Sequence, residues 1–202
     1  MLVLMPIAGQ ISSHVQPKYL MALGMLFVAL SMWHLTSLSP AVDFSYFSWA
    51  RVFQTIGLPF LFIPITSASY ADVPPNKTNQ ASALINVARN LGGSVGVSLA
   101  TTMLAQRQQF HQVRLTEHIV PSALPYHETL QLMTAYFASH GIALPDAQQR
   151  AIALIGQLVE LQSAFLSYID VFWAYAIVAL LMILPALLLL RYVDLRAAPA
   201  GH

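Results

Sequence analysis

Four long apolar stretches constrain this chain more than any other feature of its sequence. They cover residues 19–38, 44–71, 83–104 and 171–190. Each is long enough for a helix to cross a bilayer, which takes about 20 residues. Because the bilayer core holds no water to satisfy free backbone groups, such segments cross it as helices. The sequence therefore predicts an all-α fold, a polytopic transmembrane helix bundle.

The composition agrees with a membrane protein. Of the 202 residues, 57% are hydrophobic and 8% are charged, whereas a soluble domain carries about 25% charged residues. The net charge of +1 produces no long-range field that would attract nucleic acid or acidic substrates. The chain contains no cysteine, which excludes disulfides, thiol nucleophiles and thiolate metal sites. We therefore expect the lipid bilayer, and not nucleic acid, as the surroundings of this chain.

The positions of the cations indicate how the spans are oriented. Lys18 lies in the connection 12–18, Lys77 lies in the connection 72–82, and Arg191 and Arg196 lie in the tail 191–202, whereas the connection 39–43 has no cation. The positive-inside rule makes the cation-bearing segments cytoplasmic. We expect residues 1–11 to be the tail of a truncated transmembrane helix, the C-terminus to be cytoplasmic, and residues 105–170 to be extracytoplasmic.

The segment 105–170 has the apolar periodicity of helices. We expect one helix over 127–139 and a second that is capped by Asp146 and continues into the last span. Two interpretations stay open: the helices cover the bundle, or they form a docking surface for a partner.

Polar residues inside two predicted spans need compensation, because a cation near the centre of a membrane helix costs at least about 2.5 kcal/mol. Arg51 either extends to the outer interface or faces the bundle interior. Asn86, Arg89 and Asn90 lie within about one turn of each other. They either form hydrogen bonds between helices or line a water-filled path.

The span with Arg89 also carries small residues at helical spacing, which allow close approach of another helix. These predicted packing residues are Ala88, Gly92, Gly93, Gly96 and Ala100. Pro59, Pro64 and Pro185 are expected to bend their helices. We interpret His111, His118, His127 and His140 as surface residues, and we find no motif of a metal site, a phosphate-binding loop or a catalytic nucleophile. The sequence predicts neither an enzyme nor a cofactor.

Two runs of the sequence resemble a known family. One begins at Arg51 and includes Gln54, Gly57 and Pro64, with Thr55 where the family usually has glycine; the other extends from Asn79 through Gly96. They are similar to the C-terminal part of the fourteen-helix drug:proton antiporters of the major facilitator superfamily, of the multidrug-resistance protein B type.

The resemblance implies a partial C-terminal half of the major facilitator superfamily fold, in a fragment of a permease of the cell inner membrane. It also implies proton-coupled efflux of drugs or other hydrophobic small molecules. The implied partners are the missing N-terminal transporter helices, a periplasmic adaptor and an outer-membrane channel. The resemblance places Arg51 and Gln54 near the substrate or proton path, and the transport hypothesis adds Asn86, Arg89 and Asn90 to that path.

Gly9 and Lys18 match a degenerate copy of the family's cytoplasmic loop motif. The alternative function is that of a non-transporting membrane protein that binds partners through its outer helices.

Overall fold

The computed structural model describes residues 4–37, 44–71, 73–117 and 124–189. These residues are α-helical apart from short turns and one 3-10 turn at Pro75–Lys77, and no strand occurs among them. The helices are α1 (Leu4–Ser12), α2 (Pro17–Thr36), α3 (Phe44–Gly57), α4 (Pro59–Tyr70), α5 (Thr78–Glu117), α6 (Leu124–Ser139) and α7 (Leu144–Leu189). The expected all-α fold is confirmed.

Three helical segments of the described chain are long and apolar enough to cross a membrane. They are Pro17–Thr36, Ser45–Tyr70 and Leu144–Leu188. α5 has 40 residues, which correspond to about 60 Å at 1.5 Å per residue, and it contains the predicted span 83–104. It is not among the three apolar segments, since Asn86, Arg89 and Asn90 lower its apolar character. Its crossing of the membrane stays a prediction.

Proline divides the predicted span 44–71 into two helices. Leu58 forms a turn between α3 and α4, and Pro59 is the first residue of α4. Because Pro59 has no backbone N–H, it cannot donate a hydrogen bond to the carbonyl four residues earlier. Pro64 lies inside α4 and Pro185 lies inside α7, and both helices continue past them. The interruption of the span thus lies at the first of the prolines.

The chain forms two compact units, and the first comprises Met1–Ser98 and Phe172–His202. In this unit α2 packs against α3 and α4, and α1 packs against α4. Ala8, Leu20 and Phe60 form the buried core, with Ile56 and Ile63 packed on it. Through this core, one turn of α1, one turn of α2 and one turn of α4 pack against one another.

Two glycines bring α2 and α3 into close contact in this unit. A Cβ atom built on Gly24 would lie 2.9 Å from the backbone oxygen of Gly57, and one built on Gly57 would lie 2.9 Å from the backbone oxygen of Gly24. Real Cβ atoms do not approach other atoms so closely. Nearby, the buried Ser31 hydroxyl donates a hydrogen bond to the Ala50 carbonyl at 2.8 Å. A glycine contact and a hydrogen bond therefore fix α2 against α3.

The second unit comprises Leu99–Val171. It contains α6, which includes the predicted range 127–139 but begins at Leu124. After α6, Gly141 has a φ of +86°, Ile142 N–H donates to Phe137 O, and Gly141 N–H donates to Ala138 O. This pair of bonds is the Schellman motif, in which glycine takes the left-handed position.

Two expectations about helix ends need correction. α7 begins at Leu144, and Asp146 lies in its first turn instead of capping it; the carboxylate still favours the positive end of the helix dipole there. The connection expected over 12–18 is shorter, since α1 extends to Ser12 and α2 starts at Pro17. Gly9 therefore lies within α1, and Lys18 lies in the first turn of α2.

Candidate functional site

Arg51 and Gln54 form a pair on α3. Arg51 Nη1 donates a hydrogen bond to Gln54 Oε1 at 3.0 Å, as residues three apart on a helix can do. The exposed Arg51 side chain borders a depression of about 220 Å³ that is also lined by Leu4, Val52, Thr55 and Ile56. A guanidinium has five N–H donors, and Gln54 accepts from only one. The pair can therefore bind a further acceptor, such as a carboxylate, at the edge of an apolar surface.

The second predicted polar group lies on α5. Asn86, Arg89 and Asn90 are all exposed there, and the Asn90 backbone carbonyl accepts a hydrogen bond from the Ser94 hydroxyl at 2.9 Å. Within the described ranges, the Arg89 side chain makes no hydrogen bond or ion pair. α3 and α5 do not pack closely together in these ranges. The residues of each polar group therefore lie together on one helix, but the α3 group and the α5 group lie on helices that do not pack closely against each other.

The small-residue stripe of α5 faces open space in the described chain. Cβ atoms built on Gly92, Gly93 or Gly96 would have no heavy atom within 4 Å. Ala88 is exposed and Ala100 is partly exposed. Large apolar residues of the same helix are exposed as well, and they include Leu84, Val87, Leu91, Val95 and Leu99. Packing of another helix on the stripe stays a prediction, while the tight glycine contact that the structure does show lies at Gly24 and Gly57.

An aromatic group in the first unit was not predicted from the sequence. The His34 ring stacks on the Tyr46 ring at 3.9 Å between centroids, and the Tyr46 hydroxyl donates a hydrogen bond to the His34 backbone carbonyl. His34 Nε2 is buried and has no hydrogen-bond partner. Trp33 lies next to it, 4.9 Å from the Trp173 ring. In the sequence alone, each of these residues is typical of aromatic residues at a membrane interface, so no signal predicts the group.

The interpretation of His111 as a surface residue is wrong. In the second unit, His111 Nε2 lies 2.8 Å from Asp170 Oδ2, and the His111 side chain is only 19% exposed. Arg107 Nε lies 3.7 Å from the same oxygen. One sequence signal points to this group, because Arg107 and His111 are four residues apart on one helix face and Asp170 directly precedes an apolar span. A carboxylate at such a boundary needs partners.

Metal binding receives no support from the described residues. No three histidine, aspartate or glutamate side chains among them are arranged to hold a metal ion.

Comparison with known proteins identifies relatives over most of the chain. The multidrug export protein EmrB of Escherichia coli K12 is 28% identical over 182 residues, which are 90% of this chain and 34% of that protein. Over most of its length the chain is similar to EmrB-type multidrug export proteins. The match lies in the C-terminal part of the relatives, and the predicted family resemblance is confirmed.

Other relatives agree with this family. The fatty acid resistance protein FarB of Neisseria gonorrhoeae is 26% identical over 89% of this chain and 34% of its own length. The MFS-type transporter YhcA of Bacillus subtilis is 25% identical over 58% of this chain and 22% of its own length. The chain spans about a third of the length of the EmrB and FarB relatives. No family model and no solved structure matches it.

Proposed function

We propose that this chain is part of a proton-coupled efflux transporter for drugs or other hydrophobic small molecules. The observation that carries the proposal is the alignment of 90% of the chain with a multidrug export protein. The exposed small residues of α5 support it, because such residues are enriched where membrane helices pack closely. In transporters of this kind, further helices enclose the substrate between two halves of the molecule.

The polar groups on α3 and α5 are proposed to line the substrate or proton path. A cation inside a membrane span is retained where it faces protein or water rather than lipid. Arg51 has a polar neighbour in Gln54, 3.0 Å away, whereas Arg89 has only Asn86 and Asn90 beside it on the helix. We propose that a carboxylate from another part of the transporter, or water in the path, balances Arg89.

The proposed location is the cell inner membrane, with the C-terminus in the cytoplasm and the second unit on the outer side. There, α6 and the first half of α7 would be available to a periplasmic adaptor that connects to an outer-membrane channel. Photo-crosslinkers at the exposed residues Leu132 and Leu158 test this proposal. Capture of an adaptor supports the proposal, and capture of neither adaptor nor channel at both positions would contradict it.

Efflux by arginine variants tests the transport proposal. The complete reading frame that contains this sequence is expressed in bacteria without their own drug pumps, and efflux of a fluorescent hydrophobic cation is followed after energisation. We expect Arg51→Ala and Arg89→Ala to lower the efflux rate by about tenfold or more, which corresponds to an interaction of about 1.4 kcal/mol in the transport step. The lysine variants retain the charge and are expected to retain more activity than the alanine variants.

Arg114→Ala is the matched control for these variants. Arg114 is exposed on α5, where it pairs with Glu117 at 3.9 Å, and it lies outside the proposed path. The Arg114→Ala variant should export the compound at the same rate as the wild type. A protonophore should abolish efflux in all active variants. Normal efflux by well-expressed alanine variants at positions 51 and 89 would contradict their place in the path. No efflux by the wild type would favour the alternative of a partner-binding membrane protein.

A further inference from the structure

One cluster of charged side chains in the second unit takes no part in the proposed path. It consists of Arg107 and His111 on α5 and Asp170 on α7, and we name it the Asp170 cluster. A single oxygen, Asp170 Oδ2, lies 2.8 Å from His111 Nε2 and 3.7 Å from Arg107 Nε. The 2.8 Å distance is typical of a strong hydrogen bond to a carboxylate. The cluster therefore connects α5 to the residue directly before the last apolar span.

The surroundings of the cluster make this connection important for the two helices. His111 and Asp170 are 19% and 32% exposed, and partial burial shields their interaction from solvent and salt. A contact of this kind contributes more than an ion pair on an open surface.

The charged groups around His111 are few. Asp170 faces it from α7, and Tyr168 lies two residues before Asp170. On α5, Arg107 lies one turn before His111, and Arg114 is directed to Glu117 and to the Phe110 ring. None of the charged or titratable residues of α6, which are His127, Glu128, Tyr126 and Tyr136, contacts the cluster among the described residues.

We propose that the Asp170 cluster is a pH-dependent latch between α5 and α7. Histidine is the side chain that changes charge between about pH 5 and 8. With a proton on both ring nitrogens, His111 donates a charge-assisted hydrogen bond to the Asp170 carboxylate, and this bond is roughly twice as strong as a neutral one. A neutral ring makes only an ordinary hydrogen bond to the carboxylate, so loss of the ring's positive charge weakens the latch. The latch is therefore closed under acidic conditions and loosened under alkaline ones, whatever compound is transported.

Distances between spin labels on α5 and α7 test the latch. This sequence contains no cysteine, so labels are attached to Gln109→Cys and Gln162→Cys, which are both exposed positions of the second unit. The full-length protein is placed in lipid nanodiscs, with any cysteine outside this sequence replaced. The distance distribution is measured at about pH 5.5 and about pH 8, on either side of the usual histidine titration.

The wild type should show a narrow distribution of label-to-label distances at the acidic pH. At the alkaline pH, the separated population, which is the fraction of molecules with longer distances, should be about fivefold larger than at the acidic pH. His111→Gln keeps a hydrogen-bond donor but cannot titrate, so its distribution should not change with pH. Asp170→Asn should give the separated population at both values. His127→Gln is the matched control, and it should behave as the wild type does.

Three results would overturn the latch. They are a wild-type distribution that does not change with pH, a pH response that persists in His111→Gln, and an Asp170→Asn distribution equal to that of the wild type. If Asp170→Asn fails to fold, as judged by helix content and gel filtration, the conservative His111→Gln variant decides the question.

Discussion

Replacement of Gly24 by alanine should separate α2 from α3 and α4. The added Cβ would lie 2.9 Å from Gly57 O, 2.9 Å from Leu61 Cγ and 3.0 Å from the Phe60 carbonyl carbon. Two of these three atoms belong to the backbone, so a change of side-chain rotamer cannot relieve the contacts. The helices themselves must move apart by several tenths of an ångström.

Two opposing effects determine how much Gly24→Ala changes the free energy of unfolding. Alanine favours a helix over glycine by about 1 kcal/mol, and overpacking of a close contact costs about 1–3 kcal/mol. Gly156→Ala, inside α7, is the matched control, because a Cβ at Gly156 would meet nothing within 4 Å and only the favourable effect operates. We expect Gly24→Ala to be about 1–3 kcal/mol less stable than Gly156→Ala.

The contacts of Gly24 and Gly57 are reciprocal, since each Cβ would meet the other residue's carbonyl oxygen. Once one alanine has separated the helices, the second meets less resistance. The double variant should therefore lose less stability than the sum of the two single variants, by about 0.5 kcal/mol or more. Equilibrium unfolding in mixed detergent micelles measures the wild type, the two single variants, the double variant and the control. Equal stability of Gly24→Ala and Gly156→Ala, or strict additivity in the double variant, would refute the close contact.

Three further changes test other parts of the structure by the same unfolding measurement. Ser31→Ala should lower stability by about 1 kcal/mol, because the Ala50 carbonyl loses its donor; no change would contradict the buried bond. His34→Phe should raise stability by up to about 1 kcal/mol, because it removes the unpaired Nε2 atom, and a loss would indicate a partner for that atom. Gly141→Ala should cost about 1 kcal/mol at its positive φ, whereas Gly156→Ala, inside α7 with open space around it, should not.

Much of the fold follows from local sequence patterns. Apolar length places α2 and the end of α7, and Gly141, two residues after Ser139, marks the end of α6, because only glycine takes the left-handed position there without strain. Pro59 marks the division between α3 and α4. The start of α7 was misplaced because Asp146 is a good capping residue that is equally favourable within the first turn of a helix.

The site could be predicted less well, because it depends on pairs of residues that are distant in the sequence. Gly24 lies in an apolar span with nothing to distinguish it from other small residues, and its role appears only when Gly57 lies against it. His111 was interpreted as a surface residue because its partner Asp170 lies 59 residues away. By contrast, Arg51 and Gln54 are neighbours on one helix turn, and their hydrogen bond follows from sequence spacing alone.

Counter-transport of protons and a hydrophobic compound tests the proposed function most directly. The product of the complete reading frame is reconstituted in liposomes with a pH gradient, and movement of a fluorescent hydrophobic cation is recorded together with the internal pH. We expect the compound to accumulate on the acidic side, from which protons enter the transporter, and the gradient to dissipate faster when the compound is present. Gradient dissipation that is independent of the compound, with no accumulation, would contradict proton-coupled efflux.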